Sequence, residues 1–245
     1  MRETPHNPNG GTSLITVITV VYNGVEHLEE TIQSVIAQRH ANLEYIVIDG
    51  GSTDGTVDII KQYEHAISYW VSEKDSGVYD AMNKGWEAAG ENSYVLFLGA
   101  GDRVVSLPTD MTAYGPEDVV YGRVLLGNGS FFRSKTGCML RVRNTLHHQA
   151  LLVNKSAHPG KPFDTRFRMF ADFDFNQRLF KKGVNFVYAD SFVGYAMPAG
   201  VSGRYDLAES LRVVRKNFGM GWSLLALLYF IARRAFVRSR DFLTH

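Results

Sequence analysis

Cysteine is nearly absent: the one thiol in 245 residues, Cys138, cannot close an intrachain disulfide or build a cysteine-rich zinc site. That points to a reducing compartment and to a small, buried, apolar role for the residue. Long apolar runs are absent too. The longest, Trp222 to Ala232, is well short of the roughly 20 residues needed to cross a bilayer, so no membrane-spanning helix is expected. Net charge is scarce: 26 basic against 25 acidic side chains leave +1, without the positive field of a protein whose main partner is nucleic acid. Neither a GxGxxG turn nor a GxxxxGKS or GxxxxGKT loop occurs, which removes the support for dinucleotide dehydrogenases and ATP-hydrolysing P-loop proteins. No internal repeat is visible.

What is present is globular. Hydrophobic residues make up 45% and charged residues 21%, close to the average for folded domains. The opening residues 1–13 lack the apolar core of a secretion signal and are expected to be a mobile leader. From residue 14 to 102 short apolar runs alternate with helical patterns, the rhythm of a mostly parallel sheet flanked by helices. Leu14 to Val21 has no polar alternation, as a strand buried on both faces should not. Asn23 is placed to cap a helix carrying Val25, Leu28, Ile32, Val35 and Ile36 at three- and four-residue steps. Leu43 to Ile48, Ile67 to Val71 and Tyr94 to Leu98 read as three further strands. All four strands run into segments rich in Gly, Asp and Asn, and open α/β sheets bind ligands outside the carboxyl ends of their strands. The pattern over 103–203 is mixed, with strands expected over 118–126, 129–133 and HHQALLV, a helix over 173–180 and an extended stretch over 185–189. These two halves, 14–102 and 103–203, are expected to form one domain, followed by a helical tail over 204–245.

Several motifs can carry chemistry. DGGSTDGT (49–56) puts Asp49 and Asp54 where carboxylates accept hydrogen bonds from a base or ribose; the plain alternative is a turn with Asp capping the next helix. SEKDSGVYDAMNKG (72–85) crowds Asp75, Asp80, Asn83 and Lys84 together, with an Asp80–Lys84 pair one turn apart as the bland reading. Asp102 ends the fourth strand behind GAG, where one carboxylate can hold Mg2+ or Mn2+ that also touches diphosphate oxygens. FADFDF brings Asp172 and Asp174 to the head of a helix. A general base needs a carboxylate held near the acceptor hydroxyl, and two offer a base and an orienting neighbour. His148, in HHQA (147–150), is either an acceptor contact or a satisfied core histidine.

Taken in order, Tyr22-Asn23, DGGSTDGT, SEKDSGVYDAMNKG, FLGAGD, HHQA and ADFD resemble the family 2 glycosyltransferases, over roughly residues 14–200 and most closely in the bacterial exopolysaccharide, capsule and O-antigen branch. The resemblance implies a GT-A fold, a nucleoside-diphosphate-sugar donor, a divalent cation, and transfer with inversion by direct displacement. Tyr22, Asp49 and Asp54 fall where the family contacts the nucleotide, and Asp80 and Asn83 in the segment lining the donor pocket. Asp102 matches the last carboxylate of the DxD-like metal motif, and Asp172 the base of the Glu-Asp motif; His148 and Asp174 are acceptor-side or supporting candidates. Three departures stand out: Gly50 replaces the second Asp of DDGS, Gly99 and Gly101 leave Asp102 without a second carboxylate, and Ala171 and Met82 stand where the family has an acid and an arginine. The rivals are a sugar nucleotidyltransferase, whose basic glycine-rich loop is missing, and a noncatalytic nucleotide-sugar-binding protein.

The tail is the basic part, with eight Lys/Arg against three Asp/Glu from Arg204 onward. Leu207, Leu211, Val214 and Phe218 form a stripe, Gly219 and Gly221 are expected to break it, and an apolar segment runs into Arg233, Arg234, Arg238 and Arg240. Residues 222–240 can lie on the cytoplasmic face of the inner membrane, as an enzyme using a lipid-linked or oligosaccharide acceptor would find useful, or can dock on the domain or form a homodimer contact.

Overall fold

The computed structural model describes residues 14–40, 42–158, 160–198 and 206–243, with side chains up to residue 236. The expected leader over 1–13 and the expected boundary at 203/204 lie outside them. Strand β1 (Ile15–Val21) is buried at every position, as its unbroken apolar run requires. It pairs in parallel with β2 (Leu43–Asp49) on one side and β4 (Tyr94–Gly99) on the other, and β3 (Tyr69–Ser72) extends the parallel set beyond β2. After β4 the sheet turns mixed. With β5 (Arg103–Ser106), β6 (Val119–Leu126), β7 (Phe131–Arg133), β8 (Leu151–Asn154) and β9 (Phe186–Ala196), the order is β3-β2-β1-β4-β8-β6-β9-β5, and β7 pairs with β6. The two halves read from the sequence therefore share a single sheet.

The sheet curls, because β5 follows β4 in the chain yet pairs antiparallel with β9 at the far end. Helix α1 (Leu28–Ile36) closes the gap: the Val104 N–H donates to Ser34 Oγ at 3.1 Å. One face is covered by α1 and α2 (Thr56–Gln62), whose Leu28, Ile32, Val35 and Ile60 pack on Val17, Val21, Tyr45 and Val47. The other is covered by α3 (Val78–Ala88), α4 (Ala171–Lys182) and α5 (Leu207–Phe218), which bury Trp86, Phe173, Phe175 and Val213 against Ile18, Ile48 and Phe97. Each such side chain, fully buried, contributes about 1.5–3 kcal/mol. Gly85 lets α3 lie flush on the sheet, since a Cβ there would run into Ile18.

Three expectations change. Asn23 does not cap α1: the helix starts at Leu28 after His27, without a side-chain cap, leaving Val25 exposed outside it. Asn23 instead takes a left-handed turn at φ 48°, a conformation a short polar side chain tolerates. Cys138 is exposed, because the 3-10 turn over Cys138–Arg141 hands the core position to Leu140. Gly219 alone separates α5 from α6 (Met220–Leu243), its φ of 87° allowing the sharp turn, while Gly221 continues the helix.

Candidate functional site

The loops at the carboxyl ends of β1 and β2 are stitched together. The Asn23 N–H donates to Ser52 Oγ at 2.7 Å and Asn23 Oδ1 accepts from the Thr53 N–H at 3.0 Å. Asp54 takes the Val25 N–H at 3.1 Å on one oxygen and the Thr56 N–H and hydroxyl on the other; the Thr56 hydroxyl, with these amides, holds its carboxyl below the ordinary range. Tyr22 projects from this seam and is exposed. Asp49, expected to contact the nucleotide or to shape a turn, is wholly buried, accepting from the Gly51 and Ser52 amides and the Ser52 and Ser72 hydroxyls, so in this arrangement it shapes the loop. The Asp75 carboxylate occupies the space that a side chain at Gly50 would need.

The segment before α3 is organised by its own acids: Asp80 accepts from the Ser76 N–H at 3.0 Å and Asp75 from the Gly77 N–H at 2.8 Å. Lys84 pairs with Glu73 at 2.7 Å instead of Asp80. Asn83, expected to line the donor pocket, instead faces the core, where its amide donates to the Phe163 carbonyl and accepts the Phe163 N–H. Asp174 is likewise turned inward, held by Arg178, Lys216 and Asn217, two residues round the helix from Asp172. Both placements have one cause: a motif fixes the residue type, and the packing decides whether its polar atoms are already spent.

Asp102 and Asp172 meet across His148. Asp102, at the tip of β4, takes the Gly99 N–H and Gln149 Nε2 on Oδ2, each at 3.0 Å, and the Met197 N–H on Oδ1 at 3.0 Å. Gly194 makes this fit, since a Cβ there would strike the Gln149 backbone. Asp172, in the first turn of α4, takes Asn144 Nδ2 at 2.9 Å on Oδ2 and the Tyr79 hydroxyl at 3.2 Å on Oδ1. His148 lies between them, Nε2 at 3.8 Å from Asp102 and Nδ1 at 3.9 Å from Asp172. Burial would lower the imidazole, but the two carboxylates hold it up to about 9, so it is a cation at neutral pH. Burial likewise pushes the Asp102 carboxyl up, and the His148 charge and the Gly99 and Met197 amides more than reverse this. Burial, then the charge on Asp172, hold the Tyr79 hydroxyl well above its usual value.

Among the described residues, no group of three or more His, Cys, Asp or Glu side chains is gathered to cage a metal. Asp102 alone suits one. Its Oδ1 carries a single hydrogen bond and keeps a lone pair, which fits Mg2+ or Mn2+ drawing the rest of its ligands from substrate phosphate and water. Sequence reasoning passed over Gln149, Tyr79 and Asn144: the first two lie inside motifs already singled out, and nothing local marks Asn144.

The model of the family described as Glycosyl transferase family 2 matches residues 16–104. A PGL/p-HBAD biosynthesis glycosyltransferase of Mycobacterium tuberculosis is 30% identical over 181 residues, covering 68% of this chain and 70% of that protein. The putative teichuronic acid biosynthesis glycosyltransferase TuaG of Bacillus subtilis is 42% identical over 93 residues, covering 37% of this chain and 36% of that one. Among solved structures, S. aureus TarS 1-349 in complex with UDP-GlcNAc aligns at a TM-score of 0.59 and 15% identity, over 83% of this chain and 65% of that one. The mannosyltransferase PcManGT from Pyrobaculum calidifontis, in complex with GDP-Man and Mn2+, aligns at 0.59 and 17% identity over 96% and 81%. At such identities the structural likeness concerns the fold, which is the GT-A arrangement.

Proposed function

The chain belongs to glycosyl transferase family 2 and is a glycosyltransferase, and from that premise we propose that it moves one sugar, with inversion, from a UDP- or GDP-sugar to a hydroxyl of a lipid-linked or oligosaccharide acceptor in surface-polysaccharide assembly. The observation that carries this reading is the pair of carboxylates, Asp102 at a strand tip and Asp172 at a helix head, flanking one imidazole. A leaving group and an attacking hydroxyl need such a pair within one cleft. Support for the donor class comes from the nucleotide sugars bound by TarS and PcManGT, and for the pathway from the teichuronic acid role in the name of TuaG.

In this reading the nucleoside lies along the seam of Tyr22 and the loops that Asp49 and Asp54 shape, with Asp80 holding the segment before α3. Asn83 supports it from the core. Asp172 accepts the proton of the acceptor hydroxyl as that oxygen attacks the anomeric carbon on the face opposite the diphosphate. The carbon–oxygen bond to the phosphate breaks, and the nucleoside diphosphate leaves with the electron pair. His148, charged between the two carboxylates, offsets their repulsion. Held at Asp102, Mg2+ or Mn2+ would supply positive charge to the leaving diphosphate.

Asp172→Asn tests the central step. Turnover should fall by roughly 10²–10⁴, while the stabilisation given by the bound donor, read by thermal shift across UDP-, GDP- and dTDP-sugars with and without manganese, stays that of the unaltered protein. Unchanged turnover would remove Asp172 from the role of base.

A further inference from the structure

Helix α6 has two faces of different character. Trp222, Ala226 and Tyr229 turn inward onto the core beside α5, and Arg141 and Arg143 cover the rings of Trp222 and Tyr229 at 5.0 and 6.0 Å. On the opposite side Met220, Leu224, Leu228 and Ile231 recur at four- and three-residue steps, with Leu225 beside them, all more than half exposed. A single exposed leucine needs no explanation, but a continuous apolar stripe does. Arg233 and Arg234 follow it and are exposed. From Met220 to Arg240 the chain carries four arginines and no acidic residue.

We propose that this face of α6 lies on an anionic bilayer surface, its leucines and isoleucine among the acyl chains and its arginines on the phosphate headgroups. The helix is about 36 Å long at 1.5 Å per residue, yet among the described residues no helix is long and apolar enough to cross a membrane. A stripe with flanking cations in a segment of this kind is the pattern of a helix lying in the interface. Charge complementarity selects this occupant over a second copy, because another α6 would set four arginines against four with Asp241 as its one acid. The inference deepens the lipid-linked acceptor of the proposed function, but its evidence is the helix alone.

The test is flotation of the full chain, without donor or acceptor, with vesicles of phosphatidylglycerol and phosphatidylcholine against vesicles of phosphatidylcholine only. The protein should float with the anionic vesicles and largely lose them in high salt. Replacing Leu224, Leu228 and Ile231 together by serine should weaken partition by roughly 100-fold or more. Arg233→Gln with Arg234→Gln should weaken it roughly 30-fold at low salt. All these side chains are exposed, so the melting temperature should hold. Absence of flotation, or equal flotation of all three proteins, overturns the proposal. So does a light-scattering mass that falls from dimer to monomer on the serine substitutions, which would make a second copy the occupant. Because no sugar is transferred, failure here leaves the transferase reading standing, and an inactive Asp172→Asn variant should float unchanged.

Discussion

A carboxylate in the first turn of a helix rotates about two bonds unless neighbours hold it, and Asp172 is held from two directions. Asn144 fixes one oxygen, and its own amide is oriented by Asn176 Nδ2 at 3.0 Å. Tyr79 has one hydroxyl proton and two acceptors, the Met169 carbonyl at 2.8 Å and Asp172 Oδ1 at 3.2 Å. The tyrosine thus ties the donor-side helix α3 to the base. Removing either donor should loosen the base without touching the sugar nucleotide. Tyr79→Phe and Asn144→Ala are each expected to lower kcat by roughly ten- to a hundredfold with the donor KM within about twofold. Steady-state kinetics from pH 5 to 9 decides, and a raised donor KM with kcat intact would reassign Tyr79 to the donor pocket. At this scale the sequence was legible where the chemistry is local. Asp102, Asp172 and His148 stand in their motifs and converge in the structure, whereas Asn144 owes its place to a partner 28 residues away. Asp49, Asn83 and Asp174 read the same as free carboxylates and amides, since a motif does not record how many lone pairs the fold has used.

Helix α4 carries the base, and its entry is fixed by α5. Glu209, nearly fully buried, accepts the Met169 and Phe170 N–H groups at 2.7 and 2.9 Å, just ahead of Ala171. Ala171 is itself buried in the core, and Glu209 brings a carboxylate to the same helix end from α5. Negative charge there also suits the helix dipole. Glu209→Ala would strand two backbone donors and is expected to cost about 2–4 kcal/mol in urea denaturation, whereas Glu209→Gln, which can still accept both bonds, should lose under half of that. Equal losses would mean that the charge, and not hydrogen bonding, anchors α4. The elements themselves were largely readable: four apolar runs became β1 to β4, with β1, most of β2 and β4 buried on both faces, where the pattern leaves no choice, and β3 half-exposed at the sheet edge. The start of α1 was not, since Asn23 bonds to the neighbouring loop in place of its own helix. Nor was the pairing of β5 with β9, which depends on how far the sheet curls.

Across the whole molecule, three histidines among the described residues are displaced, His148 upward and His147 and His158 downward, and together they shape how stability depends on pH. His148 sits between Asp102 and Asp172, which overcome its burial and lift it to about 9. His158 packs on Trp86 and Phe175 beside Arg178, and burial, then the arginine's charge, push it down to about 4. An unfolded imidazole titrates near 6.5. Between 6.5 and 9 the folded chain keeps a proton on His148 that the unfolded chain has released, so this stabilisation is complete below 6.5 and is lost as the pH rises through 9. Between 4 and 6.5 the unfolded chain binds a proton that His158 refuses, so stability falls as the pH drops from 6.5 toward 4. The expected curve is a dome with its top near pH 6.5 and wings on the order of 2 kcal/mol each, allowing for partial solvent screening. Urea midpoints at pH 4.5, 6.5 and 9 trace it. His158→Gln should shrink the acid wing, to which the buried His147 also contributes, and leave the alkaline one, whereas His148→Gln should flatten the alkaline wing. An alkaline wing that persists in His148→Gln would mean that the two carboxylates do not charge that imidazole, and the electrostatic link between Asp102 and Asp172 would go with it.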